Sequence, residues 1–164
     1  MVLLTACPQK ATWPAVKRLI RERFPEVPQV STTELSEWLA TPGGTRPLLL
    51  DARAPEEWAV SHLPGALLAT TEDQALAGLQ GVEKERLIVV YCSVGHRSAA
   101  LAQQLISRGF TNVHNLEGSI FAWANEGRPV YQGERAVRQV HPYNKVWGQL
   151  LNRDLWAAGQ EVDD

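Results

Sequence analysis

The chain has 164 residues, enough for one domain with a real core, and its 16 Lys and Arg against 18 Asp and Glu leave a formal charge of −2. No basic block of the kind that neutralises a nucleic-acid backbone is present, so nucleic acid is excluded as an expected partner; no apolar run approaches the ~20 residues of a membrane helix. Two cysteines make no disulfide framework, which fits a reducing compartment and a cytoplasmic location.

Residues 1–28 read as an N-terminal helical extension. Leu4-Thr5-Ala6-Cys7 superficially looks like a lipoprotein cleavage box, but only three residues precede it and no apolar core of signal length does, so no signal peptide is expected. Trp13, Val16, Ile20 and Phe24 are spaced for one apolar helix face, opened at Thr12 with Pro14 in the first turn. Lys17, Arg18, Arg21 and Arg23 make the other face basic. Solvation of that face on a helix packed against the domain is the expected role, with partner docking as the alternative. Pro25 and Pro28 close the segment.

Residues 29–131 carry the regular alternation of a central domain. An extended stretch at Val30 runs into Ser31 and Glu34, spaced as a capping box, and the helix turns Leu35, Trp38 and Leu39 inward. After Pro42-Gly43-Gly44, residues 47–51 form a buried strand, parallel to the first and ending at Asp51. Pro55-Glu56-Glu57 opens a helix with proline and acids in its first turn. Arg53 and Glu57, four apart, have the spacing of an ordinary ion pair at a helix start. His62 is expected to be structural. A short strand at 66–68, a helix started by Thr70-Thr71-Glu72 that runs through Leu76 and Leu79 to near Gly81, and an apolar β-branched strand at 87–91 follow. From Ser98, Ala99, Leu101, Ala102, Leu105 and Ile106 recur at helical spacing up to Gly109. A strand at 112–116, with His114 structural, and a helix at 120–126 stopped by Gly127 and Pro129 complete a doubly wound α/β domain with a five-stranded, mainly parallel sheet flanked by helices.

Residues 132–164 form a C-terminal extension. Val137, Val140, Val146, Leu150, Leu151, Leu155 and Trp156 are its expected apolar anchors, broken by His141-Pro142-Tyr143-Asn144; packing back on the core is expected, an oligomer or partner contact the alternative. The acidic end, Glu161-Val162-Asp163-Asp164, is expected to fray.

Chemistry concentrates between the strand at 87–91 and the helix from Ser98, in the tight loop Cys92, Ser93, Val94, Gly95, His96, Arg97. Such a loop aims backbone N–H groups and a positive helix end at one spot, here a cysteine. Beside a helix N-terminus and cations a thiol is stabilised as thiolate, its pKa falling from roughly 8.5 toward about 3.5–7.5, so Cys92 reads as a nucleophile and not as an inert buried cysteine. Arg97 is expected to contribute field at the donor site more than packing. Nothing comparable surrounds Cys7. Protein tyrosine phosphatases place five residues between cysteine and arginine, which would put the arginine at Ser98; Arg97 comes one position early.

The loop resembles instead the shorter active-site loop of rhodanese-type sulfurtransferases. The resemblance extends upstream to Leu48-Leu49-Leu50-Asp51-Ala52-Arg53, Glu57-Trp58 and His62-Leu63-Pro64-Gly65-Ala66, and downstream to Asn115-Leu116-Glu117-Gly118-Ser119-Ile120-Phe121-Ala122-Trp123 and Gly127-Arg128-Pro129-Val130. Ser61 departs from the glycine usual before the histidine, a change of turn residue only. This resemblance implies one catalytic copy of a single-domain rhodanese. Cys92 would accept sulfane sulfur from thiosulfate or a persulfide and pass it to cyanide or a thiol. Ser93, Val94, Gly95, His96, Arg97 and Ser98 would form the substrate-binding loop, and Asp51 and Arg53 would support it. No metal or organic cofactor is implied. The alternative within the same resemblance is a persulfide carrier or redox-sensing module serving one protein partner.

Overall fold

A computed structural model describes residues 10–160. Cys7 with the residues before it, and the acidic end 161–164, lie outside the described residues. Five strands, β1 (Gln29–Val30), β2 (Leu48–Asp51), β3 (Leu67–Leu68), β4 (Ile88–Tyr91) and β5 (Val113–Leu116), form one all-parallel sheet in the order β1-β5-β4-β2-β3. β4 lies at the centre, and all four of its residues are buried, as expected of a strand covered on both faces. Helices α2 (Thr32–Ala40), α3 (Pro55–Val60), α4 (Glu72–Gly78), α5 (His96–Ser107) and α6 (Ser119–Asn125) fill the crossovers, α4 packing beside α5 and α2 beside α6. Among the described residues no helix is long and apolar enough to cross a membrane.

Local chemistry accounts for the element ends. Ser31 Oγ accepts from Glu34 N–H at 3.1 Å while Glu34 Oε2 accepts from Ser31 N–H at 2.9 Å, the reciprocal box expected from the sequence. Thr71 caps α4 by accepting from Gln74 N–H. α5, however, starts at His96 and not at Ser98: Gly95 ends the preceding turn in the left-handed region at φ +115°, and His96 and Arg97 already occupy the first helical turn.

Both extensions enter the same core as the sheet. Helix α1 (Trp13–Arg23) buries Val16 and Ile20, with Phe24 following, and Lys17 and Arg21 pair with Glu117 at 3.5 and 2.6 Å. An antiparallel hairpin of β6 (Val130–Gln132) and β7 (Arg135–Val137) straddles residue 131 and bridges back to His62 through Tyr131. Beyond it the chain runs through two 3-10 turns, Trp147–Leu150 and Arg153–Leu155, burying Val140, Leu150, Leu151 and Leu155. Val146, an expected anchor, instead faces solvent at 51% exposure, because this segment has no continuous helix to turn it inward.

His62 stacks on Trp58 at 4.0 Å, and His114 packs edge-on against Trp38 at 5.9 Å. His141 is buried, its Nδ1 accepting from Tyr143 N–H at 3.0 Å. Burial holds the pKa values of His114 and His141 below the ordinary 6.5, partly offset at His114 by Glu34 and at His141 by Glu57. The unfolded chain then binds protons that the folded one does not, so stability is constant above this value and declines as pH falls below it. The denaturation midpoint should drop between pH 7 and 5, and drop less in His141→Gln, which keeps an acceptor but no titrating ring. An equal drop in both proteins would exclude His141 as a source.

Candidate active site

Because β2 and β4 are parallel and pair Asp51 with Tyr91, the chain leaves both strands on one rim of the sheet. There Tyr91 accepts Leu63 N–H on its hydroxyl at 3.0 Å, and burial with the nearby Asp51 carboxylate pushes that phenol's pKa well up. The next residue, Cys92, is 1% exposed. From it the backbone reverses through Ser93 and Val94 to Gly95, whose N–H donates to Cys92 Sγ at 3.1 Å. Ala99 N–H makes the first intrahelical bond, to Gly95 O at 3.2 Å, so the amides of His96, Arg97 and Ser98 ahead of it form the open end of α5.

Two elements hold this turn from behind. Asn115 at the end of β5 donates from Nδ2 to Gly95 O at 3.1 Å and to Gln29 Oε1 at 2.9 Å, which leaves its Oδ1 toward Ser98 Oγ at 2.6 Å. Ser119 Oγ accepts Cys92 N–H at 3.1 Å, and Ile120 and Phe121, in the first turn of α6, donate their N–H groups to Cys92 O and Ser93 O, each at 3.1 Å. Ser98 Oγ also lies 3.4 Å from Cys92 Sγ. A hydroxyl has one proton, and the short contact to Asn115 Oδ1 claims it while the sulfur is a thiol that can itself donate. When the sulfur is charged the same hydroxyl can turn toward it.

The third support comes from α3. Glu57, buried in its first turn, accepts Ser93 Oγ on Oε1 at 2.9 Å and takes Arg97 in a two-pronged ion pair, Nη1 to Oε2 at 2.7 Å and Nη2 to Oε1 at 2.9 Å. Burial raises the Glu57 carboxyl, but Arg97, with the Ala54 amide and Arg53, outweighs it and the net displacement is downward. Burial likewise works against the Arg97 charge, and Glu57, together with the Cys92 sulfur and Tyr143, more than restores it. The Arg97 guanidinium lies 4.3 Å from the centroid of the Tyr143 ring.

The sequence-derived residues are thus sorted by the fold. Cys92, Ser93, Val94, Gly95, Arg97 and Ser98 come together, and exposed His96 sits beside them on the edge of Phe24 at 5.3 Å. The hydrogen bonds of the Asp51 and Arg53 side chains go to each other and to Ser61, not to the loop. The two residues form a fully buried pair, Nη2 to Oδ2 at 2.7 Å, with Nη2 also on Ser61 O at 2.6 Å, the C-cap of α3. The pairing of Arg53 with Glu57 that four-residue spacing favours is therefore replaced: Arg53 precedes the helix, where Asp51 is within reach, and Glu57 belongs to Arg97. Glu57, Asn115 and Ser119 were not legible as site residues. Beside the sulfur lies a cavity of about 260 Å³ lined by Cys92, Ser93, Val94, His96 and Arg97 of the loop, by Val16, Leu19 and Ile20 of α1, and by Tyr143 and Trp147.

The chain belongs to the rhodanese-like family, whose model, described as Rhodanese-like domain, matches residues 31–126. Its most similar relatives include a "Sulfurtransferase" of Allochromatium vinosum, 33% identical over 108 residues, covering 66% of this chain and 98% of that protein. Another, the "Probable adenylyltransferase/sulfurtransferase MoeZ" of Mycobacterium tuberculosis, is 34% identical over 101 residues, 61% of this chain. The chain spans only 25% of that mycobacterial protein's length. Among solved structures, a rhodanese-like domain protein of Staphylococcus aureus superposes with a TM-score of 0.52 at 28% identity, covering 59% of this chain and 91% of that one. The thiosulfate sulfurtransferase of Pseudomonas aeruginosa shares the fold, with a TM-score of 0.61 at 19% identity over 79% of this chain and 25% of that one.

Two outcomes follow from this geometry. Arg97→Ala leaves the Glu57 carboxylate buried without its partner and should cost about 1–3 kcal/mol in urea unfolding, the pair being partly solvated on the arginine side. Adding Glu57→Gln should cost less than the two single changes summed; strict additivity would show that the ion pair does not form. Gly95→Ala should cost about 1–2 kcal/mol from its positive φ alone. A methyl there also meets Ile20 Cδ1 at 3.3 Å and Asn115 Nδ2 at 3.4 Å, so an unchanged midpoint would contradict the turn geometry.

Proposed function

We propose that the protein is a sulfurtransferase that carries sulfane sulfur as a persulfide on Cys92. The observation that carries this reading is a cysteine that lines a cavity, its sulfur 3.1 Å from the Gly95 amide, in a member of the rhodanese-like family. In the loading step the Cys92 thiolate attacks the outer sulfur of thiosulfate; the new S–S bond forms as the bond to the sulfonate breaks, and sulfite leaves with the electron pair. In the discharge step cyanide or a thiolate attacks the outer sulfur of the persulfide, and Cys92 leaves as thiolate. Dividing the transfer this way replaces one difficult encounter by two displacements at sulfur.

The amides from Ser93 to Ser98 are the donors for the negative terminal sulfur, and being fixed by Asn115, Ser119 and Glu57 they need no reorganisation when the charge arrives. The charge of Arg97 is matched by Glu57, so its part is first to hold the loop and only second to draw in an anionic donor.

Protein treated with thiosulfate and weighed intact should gain the mass of one sulfur atom, lost again on adding cyanide, with the label on Cys92. Cys92→Ser should abolish the gain and the turnover, and Cys7→Ser should leave both. Sulfur on Cys7, or a Cys7–Cys92 disulfide as the main product, would replace this reading with redox sensing.

A further inference from the structure

We propose that the cavity beside Cys92 selects, as its sulfur acceptor, a low-molecular-weight thiol with an apolar body, and that Leu19, Tyr143 and Trp147 determine that choice. This rests on the persulfide chemistry of Cys92 proposed above. It concerns Leu19, Tyr143 and Trp147, three lining residues that lie outside the stretch 31–126 that matches the family model; the loop residues lining the rest of the cavity lie inside it.

Size is the first argument. At roughly 30 Å³ of liquid volume per water molecule, a space of about 260 Å³ holds about nine waters, or an organic molecule of comparable heavy-atom count. Thiosulfate would leave much of it as water against apolar walls. A thiol with a ring or a short alkyl chain would displace that water, which is where the hydrophobic effect favours binding.

Charge is the second. A site built for a dianion calls for cations without partners of their own, yet the cations around this wall are matched. Arg97 is paired with Glu57, and of the α1 cations flanking the wall residues in sequence, Lys17 and Arg21 turn to Glu117 and Arg18 approaches Glu22 at 3.9 Å. Ser93, His96 and Arg97 are the polar part of the lining, Arg97 lying against the Tyr143 ring, and Val16, Leu19, Ile20, Val94, Tyr143 and Trp147 make the rest of it aliphatic and aromatic.

The rim is the third. Leu19 is 51% exposed and Tyr143 39% exposed, and both line the same cavity. A single exposed leucine signifies nothing; two large apolar side chains lining one cavity beside a nucleophile form a contact surface for something apolar. Tyr143 is moreover held at φ +67°, a region a bulky residue occupies only under constraint, by the bond from its N–H to His141 Nδ1 and by Arg97 against its ring. Strain of this kind is retained where it places a side chain.

The chemistry needs no further reactant. The Cys92 persulfide, formed as the anion, takes a proton from water, and the acceptor thiolate attacks the outer sulfur of Cys92–S–SH; a bond forms between the acceptor sulfur and that sulfur, the S–S bond to Cys92 breaks, and its electron pair leaves on Cys92 as thiolate. The product is the acceptor's hydropersulfide, which keeps the proton.

The test loads the full chain with thiosulfate, confirms one added sulfur by intact mass, and then follows discharge to 2-mercaptoethanol and to phenylmethanethiol at equal thiolate concentration. Each rate is divided by that of the same thiol with a small persulfide in solution. Wild type should favour phenylmethanethiol by about tenfold, the scale set by burying a small apolar group. In Leu19→Gln, a change at a half-exposed position that does not threaten the core, and in Trp147→Gln, the ratio should fall toward one. A wild-type ratio near one, or a ratio untouched in both variants, overturns the inference while leaving the sulfurtransferase reading intact. Faster discharge to a cysteine in an unstructured polar peptide overturns it in favour of a protein acceptor. Failure to load any sulfur is a different result: it removes the persulfide on Cys92 and both readings with it.

Discussion

Between Tyr91, the last residue of a strand buried on both faces, and His96, the first of a helix, the chain has four residues in which to reverse. That constraint shapes the site. A reversal so short requires a positive φ, and Gly95 supplies it at +115°. The Gly95 amide meets Cys92 Sγ and the Gly95 carbonyl meets Asn115, so the sulfur's amide partner and the brace of the turn belong to one residue. The contacts from Ser119, Ile120, Phe121 and Glu57 all close on the two residues that begin this turn or on Arg97 just beyond it.

Charge is organised as a relay of two ion pairs, neither of which touches the sulfur. Asp51 holds Arg53, and Arg53 reaches the carbonyl of Ser61 at the end of α3; Glu57, at the start of the same helix, holds Ser93 and Arg97. Desolvating such ions costs several kcal/mol each, close to what their attraction returns, so the pairs add little net stability. Their effect is on geometry: one fixes a short helix at its far end, and the other uses that helix to fix the loop. A six-residue helix has too little packing surface to be placed accurately by apolar contacts alone.

Most of the architecture was legible because burial imposes periodicity. The apolar run ending at Tyr91, the capping box at Ser31 and the helical spacing after Ser98 each led to an element that the structure contains. The start of α5 was misjudged by two residues for the same reason: His96 and Arg97 are not buried, so the apolar pattern starts only where the helix turns inward. Glu57 was legible as a helix-opening acid but not as the partner of Ser93 and Arg97, which lie 36 and 40 residues away. Spacing rules see neighbours along one helix, and the preference for Arg53 with Glu57 was such a rule. Asn115 and Ser119 were hidden likewise, since a polar residue in a buried strand shows that it needs partners without showing which.

The extensions lie outside the matched family region, yet packing treats them as part of the domain. An isolated helix of 11 residues is marginal in water, so α1 owes its form to what it buries. Val16, Ile20 and Phe24 each contribute about 1.5–3 kcal/mol on full burial, together enough to seat the helix without any ligand. Val140, Leu150, Leu151 and Leu155 do the same for the segment that carries Tyr143 and Trp147. The walls beside Cys92 are therefore in place before anything binds, and a molecule entering does not have to offset the ordering of either wall. A preformed and largely apolar cavity discriminates by what it excludes, because a polar body placed there loses its water and finds few polar groups to replace it.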